Sequence, residues 1–337
     1  MLSTTALFYG AGMSILHLSG NDNMRGLFTI ALGVFNLLFA YPLLKRGHVD
    51  KSLIYLLVGM VLTFVSLAAP VQLSGNYITL FWTTEMVVLL WLAQKSNIQF
   101  MKWSSLIIFG LMLLSLLMDW QQIYFDSGKK TLAILANKGM ITTVFSLLGI
   151  ATYYRLLKNN KTISYLPGIS IELLKNVLKI VGVSLIYLIG IIEITYQIDT
   201  RMAYAPLSSI SALAYTYLIL VVLVAFAKKT SNLKLEQGLM FASGVALLSY
   251  LFFNEIVKNI RADYLLGEIE IGAFLMQYAT LLLVSVLGVL FYRHVKSYEG
   301  LHSDKGKVVV LGLSLFTVLV ATMQLNHHAM LFYFDEA

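Results

Sequence analysis

The sequence predicts an all-α fold, a polytopic bundle of ten or eleven transmembrane helices with no sizeable soluble domain. Three observations carry this. Apolar residues make up 58% of the 337-residue chain and charged residues 12%, about half the ~25% charge of an ordinary soluble domain. The apolar residues gather in runs that approach or reach the roughly 17–25 residues a helix needs to cross a bilayer. Lys and Arg sit in the short turns between those runs, as membrane topology requires.

Taken in order, residues 4–18 are short for a span and lack the basic start of a signal peptide, so they form a marginal first helix. Apolar runs follow near 26–44, 53–71, 77–94, 103–118, 139–157, 176–196, 207–227, 236–253, 272–292 and 308–324. Pro42, Pro70, Pro167 and Pro206 fall at or beyond run ends, where they leave helix interiors intact. No repeat, low-complexity tract or soluble insert interrupts the pattern. Residues 1–337 are therefore expected to form a single transmembrane domain.

Counted over eleven spans, one set of loops carries seventeen basic residues, among them Lys45, Arg46, Lys95, Arg155, Lys228 and Arg293. The alternate loops carry seven, among them Arg25, Lys138, Arg201 and Arg261. The positive-inside rule places the first set in the cytoplasm, with the N-terminus inside and the C-terminus outside. The net charge of +7 is thus a topology signal, and no nucleic-acid partner is expected. The chain has no cysteine, which excludes disulfides, thiolate metal sites and Cys nucleophiles.

Glu85 is the leading candidate for chemistry. It lies about eight residues into its run, ~12 Å deep at 1.5 Å per residue, with Trp82 on the same face. An ionised acid there costs at least ~2.5 kcal/mol, so it must be neutral, paired or facing a water-filled cavity. Its two readings are a proton carrier or ligand anchor, and a buried acid that fixes helix packing. Glu193 stands near the outer end of its run, ahead of Asp199 and Arg201. An Arg–carboxylate pair there would clamp an anionic or hydroxylated substrate, or serve only as an interfacial salt bridge. Asp119 opens the longest outer loop, whose Trp120, Tyr124 and Phe125 read as an interfacial aromatic belt. The segment from Asn254 to Glu270, which includes Glu255, reads as an amphipathic interfacial helix, with a ligand-gripping lid as the alternative. His327 and His328 are adjacent and so diverge on a helix. No spaced ligand set supports a metal, and the other histidines read as boundary residues.

Missing motifs narrow the field. There is no GxxxxGK[ST] loop and no GxSxG elbow, so ATP-driven and serine-acyl chemistry lack support, and no cofactor or metal is expected. No pair of Gly- or Pro-broken spans marks an inverted-repeat transporter.

The runs FWTTEMVVLLWLAQKS and LANKGMITTVFSLLGIATYYRLLK resemble the domain of unknown function 2339 family of predicted bacterial membrane proteins. The first places Trp and Glu ahead of a Leu-rich stretch that ends in Trp-Leu and a basic turn, here Trp82, Glu85, Trp91 and Leu92. The second places an Asn at the mouth of the next span, here Asn137. The resemblance implies a multi-span helical protein of the bacterial inner membrane and supplies no catalytic residue. Its relatives commonly carry further spans, so the chain is expected to be a piece of a longer protein.

These readings lead to an integral membrane protein of the bacterial cell envelope that binds, moves or scaffolds an envelope component. It would do so through an outward-facing polar pocket drawn from Trp82, Glu85, Asp119, Asn137, Glu193, Arg201 and Glu255. Expected partners are membrane lipids, other envelope proteins or a lipid-linked substrate. The rivals are a membrane transferase acting on a lipid-linked sugar or acyl donor with Asp119 or Glu193 as base, and a proton-coupled transporter using Glu85.

Overall fold

A backbone in lipid has no water to bond with, so an apolar run becomes a helix that satisfies its own amides. The computed structural model describes residues 2–46, 51–96, 98–126, 131–159, 164–166, 168–230, 233–298 and 303–334. It contains α1 (Leu2–Leu18), α2 (Arg25–Arg46), α3 (Lys51–Gln72), α4 (Asn76–Ser96), α5 (Gln99–Trp120) and α6 (Lys138–Lys158). A short antiparallel ribbon, β1 (Ser164–Leu166) with β2 (Ile169–Ser170), precedes α7 (Ile171–Arg201). The chain continues as α8 (Ala205–Thr230), α9 (Leu233–Phe252), α10 (Asn254–Leu265), α11 (Ile271–Tyr298) and α12 (Asp304–Phe334). Among the described residues, eight of these helices are long and apolar enough to cross a membrane: α4 to α9, α11 and α12. The fold is all-α and polytopic.

Several boundaries move outward from the apolar runs. α7, α11 and α12 extend into polar flanks, α12 by a further ten residues beyond 324. Pro42 and Pro70 lie inside the closing turns of α2 and α3 rather than beyond them; a proline there removes only one ladder bond near an end. Pro206 is the second residue of α8, where its missing N–H costs nothing. Pro167 lies outside the described residues.

Packing divides the chain into two compact units, Met1–Ile186 and Tyr187–Ala337. In the first, α2 pairs with α3, and α4 packs against both α5 and α6. The α4–α6 approach needs a residue without a side chain. A Cβ at Gly149 would stand 2.3 Å from Thr83 Cγ2 and 3.0 Å from Met86 Cε. In the second unit, Tyr217, Leu247, Tyr250 and Leu287 join α8, α9 and α11 in one buried cluster. α10 is the amphipathic helix that the sequence suggests: Val257 and Ile260 pack with Leu207, Ile210 and Phe274. α12 differs from the other spans: no residue of its most apolar stretch is fully buried, although Leu313, Phe316 and Val320 pack partly buried on the α8/α9/α11 cluster.

Candidate functional site

In the first unit, α4 turns Thr79, Thr83, Met86, Leu90 and Ala93 into protein, a stripe at the helical spacing of three and four. The hydroxyls on it meet partners on α5 and α6. Ser115 and Thr79 oxygens lie 2.6 Å apart, and Thr79 Oγ1 donates to Asp119 Oδ2 at 2.6 Å. A hydroxyl has one proton, so the order Ser115 to Thr79 to Asp119 satisfies both donors with the carboxylate as final acceptor. Trp120 Nε1 donates to Thr143 Oγ1 at 2.8 Å. Toward the other end of the bundle, Ser105 Oγ lies 2.9 Å from both the Met86 carbonyl and the Tyr153 hydroxyl. Tyr165, on β1, stands 3.2 Å from Tyr153, and burial pushes its phenol above the ordinary range.

α5 does not stop at Asp119. It runs on through a wide π turn, Gln121–Phe125, that rolls Tyr124 inward. The Tyr124 hydroxyl donates to Asn137 Oδ1 at 2.9 Å, and the same oxygen accepts from the Met140 amide at 2.9 Å. Asn137 is thus the N-cap of α6 and ties it to the end of α5. Trp120 and Tyr124 are buried, which corrects the belt reading for both; only Phe125 is exposed.

Glu85 belongs to another face of α4. Six residues separate it from Thr79, ~9 Å along the axis, and it meets α3 instead. Ser66 Oγ lies 2.5 Å from Glu85 Oε1 and 2.9 Å from the Leu62 carbonyl, while Trp82 Nε1 donates to the Ser66 carbonyl at 3.3 Å. Trp82 and Glu85 therefore share one partner residue. Glu85 is buried, and among the described residues its Oε2 has no hydrogen-bond partner.

The second unit holds Glu193, Arg201 and Glu255. Glu193 is buried and accepts from Gln197 Nε2 at 2.9 Å; Gln197 Oε1 in turn accepts from Arg201 Nε at 2.9 Å. A glutamine thus stands between the acid and the arginine along one helix face. Glu255 is exposed and pairs with Lys258 at 2.7 Å. The seven candidates divide between the units: Trp82, Glu85, Asp119 and Asn137 lie in the first and the other three in the second. Within the first, Trp82 and Glu85 meet at Ser66, Asp119 bonds separately to Thr79, and Asn137 bonds to Tyr124.

The sequence marks the Asn254–Glu270 segment and His327 separately, and the second unit joins them in one polar cluster. A cavity of about 160 Å³ opens between α9, α10 and α12, lined by Asn254, Lys258, Arg261, Gln324, Asn326 and His327 among others. His327 is only 3% exposed. Gln277 Nε2 lies 2.7 Å from His327 Nε2. With that amide donating, the neutral ring carries its proton on Nδ1, and this nitrogen has no partner among the described residues. Gln277 Oε1 and Gln324 Oε1 are likewise buried and unpartnered. His328 points elsewhere, to the Gln324 carbonyl at 2.7 Å and the Tyr278 hydroxyl at 3.3 Å. Among the described residues no three His, Cys, Asp or Glu side chains converge as a metal site. His294, read from sequence as a boundary residue, is buried against Glu236 at 3.0 Å. Outside the spans, Tyr204 donates to Asp263 of α10; burial first, and then that carboxylate, push its phenol above the ordinary range.

The whole arrangement, from the first helix to the end of α12, falls within one family model, the predicted membrane proteins designated DUF2339, which matches residues 1–334. The chain belongs to this family. A search of curated proteins found no match, nor did a search of solved structures. The DUF2339 match spans both units, so the Glu85 face and the α9/α10/α12 cavity are both parts of a family-type chain.

Proposed function

We propose that this chain is an integral protein of the bacterial cytoplasmic membrane that binds an anionic or hydroxylated envelope component in the α9/α10/α12 cavity. In this reading the chain has eleven spans, with its N-terminus inside and its C-terminus outside. The charge asymmetry of the loops supports that orientation. Asn326 lies twenty residues along α12 from Gly306, ~30 Å at 1.5 Å per residue and one hydrocarbon thickness. The cavity then opens at the outer boundary.

The observation that carries the reading is the meeting of Lys258, Arg261 and the unpartnered His327 Nδ1 at one cavity. No carboxylate pairs with Arg261 among the described residues, whereas Lys258 is tethered by Glu255. A buried donor left unsatisfied costs ~1–3 kcal/mol, and an anionic or hydroxyl oxygen in the cavity removes that cost. The test is mass spectrometry of small molecules extracted from the purified chain. Wild type should carry a phosphate- or carboxylate-bearing molecule that Arg261→Gln and His327→Ala lose while both variants still purify folded. The same molecule retained in both variants contradicts the reading.

One observation favours a second reading, proton-coupled transport through Glu85. Ser66 has one proton and two neighbouring acceptors, Leu62 O and Glu85 Oε1. A protonated Glu85 satisfies the site, donating to Ser66 Oγ while Ser66 donates to Leu62. Proteoliposomes under an imposed pH gradient test it: Glu85→Gln should abolish proton movement that wild type supports, and equal movement in both sinks it. For the transferase, no observation joins Asp119 to Glu193.

A further inference from the structure

The α9/α10/α12 cavity does not end at its polar wall. A second hollow of about 550 Å³ runs between α11 and α12, lined by Ser285, Gly288, Tyr292, Val310, Thr317 and Gln324 among others. Gln324 lines both. The polar cavity and the apolar groove therefore meet at one side chain. From Val310 to Gln324 the groove follows α12 for ~21 Å at 1.5 Å per residue, deeper than the ~15 Å of one leaflet's hydrocarbon. The helix forming one wall, α12, fully buries no residue of its most apolar stretch, so the groove opens toward lipid. A Cβ at Gly288 would meet nothing within 4 Å.

We infer that the two hollows form one site for an anionic lipid, its headgroup beside Arg261 and Lys258 and a chain in the α11–α12 groove. This rests on the cavity reading above and names the class of its ligand. Each end excludes the alternatives that the other would admit. A free phosphate would leave the groove without a role. A neutral lipid would leave Arg261, which no carboxylate pairs among the described residues, without a counter-charge at the cavity. The charge complementarity is local: Lys258, Arg261 and His327 line one polar cavity. An ionised headgroup oxygen offers an acceptor to the His327 Nδ1–H and a counter-ion to the guanidinium.

The test uses the full chain in nanodiscs and native mass spectrometry to count retained lipid. Phosphatidylglycerol is compared with phosphatidylcholine of identical chains, and soluble glycerol phosphate is added in a separate arm read by thermal stabilisation. Wild type should retain phosphatidylglycerol with at least a five-fold preference, about five-fold for each basic residue near a lipid headgroup that is not already paired. Lys258→Gln with Arg261→Gln should abolish the preference, and Arg261→Lys should largely keep it. Gly288→Leu should fill the groove and release the lipid while leaving the response to glycerol phosphate unchanged. Equal retention of the two lipids overturns the inference. Stabilisation by glycerol phosphate that is lost in the double variant, with no lipid retained, also overturns it but leaves the cavity reading standing. Neither lipid retention nor glycerol phosphate stabilisation overturns both.

Discussion

In the α4–α6 bundle the hydroxyls of Thr79, Ser115 and Ser105 each meet another polar group within 2.9 Å. In the second unit Gln277 Oε1, Gln324 Oε1 and His327 Nδ1 are as deeply buried and meet none among the described residues. Both regions are helices in an apolar chain, so the difference lies in how the helices close. α4 and α6 approach over Gly149 until side chains touch, and interhelical hydrogen bonds worth ~0.6 kcal/mol each on average in membranes knit the contact. α12 stands off from α11 by a groove and ends beside a cavity. A region that satisfies its own polar groups is built to hold; one that leaves donors and acceptors at a cavity wall is built to receive. Among the described residues of the first unit two buried atoms also lack a partner, Arg25 Nε on α2 and Glu85 Oε2 on the α3 side of α4, and both lie outside the α4–α6 seam.

The sharpest break of that comparison is the same substitution in both regions. Gly149→Leu should destabilise the chain by ~1–3 kcal/mol through overpacking, a fall of roughly 2–4 °C per kcal/mol for a unit of this size. Gly288→Leu should leave the melting temperature within error, because its Cβ meets open space. Thermal unfolding followed in detergent checks both, and equal losses would contradict the contrast. Next in size, Asp119→Leu should cost ~1–3 kcal/mol by leaving the Thr79 hydroxyl without its acceptor. Asp119→Asn, which keeps an oxygen there, should cost less than half as much in the same assay.

Much of this architecture was legible in the sequence. Helix positions follow from run lengths, and the pairing of Trp82 with Glu85 follows from three-residue spacing on one helix. Asn137 was legible as a special position but not as the acceptor for Tyr124, because the π turn that rolls Tyr124 inward has no pattern in the letters. The cavity was not legible for a related reason. Its key contact joins Gln277 to His327 across fifty residues, and depends on the rotation of two helices about their axes. A soluble helix advertises that rotation through one apolar stripe, but α12 is apolar nearly all round, as a helix facing lipid is. Ser66 escaped notice likewise, being one hydroxyl among many until α3 brings it against Glu85. The pair His294 and Glu236, fifty-eight residues apart, belongs to the same class.

Smaller effects sharpen the picture at the edges of the cavity. Tyr204→Phe removes the bond that ties Asp263 of α10 to the α7–α8 turn, and should cost about 1 kcal/mol after allowance for solvent. The Tyr204 phenol is raised in the folded chain, so the fold holds its proton more tightly than the unfolded chain does. Its contribution is present below about pH 10, the ordinary tyrosine value, and is lost as pH rises beyond it. Hydrogen exchange at α10 should accelerate in that window in wild type and change less in Tyr204→Phe. Smallest of all, Glu255→Gln should change stability by less than ~0.5 kcal/mol, since its pair with Lys258 is exposed. It should nevertheless free Lys258 for the cavity and raise retention of an anionic ligand.

The central claim, a sealed seam in one unit and an open outward cavity in the other, can be read by site-specific labelling. The chain has no cysteine, so single cysteines need no background removed. Asn326→Cys at the cavity and Thr83→Cys in the seam are treated in intact cells with a membrane-impermeant maleimide. The account predicts rapid labelling at 326, slowed by added glycerol phosphate, and none at 83 until the chain is denatured. Labelling of 326 only after the cells are opened, or equal labelling at both positions, would contradict it.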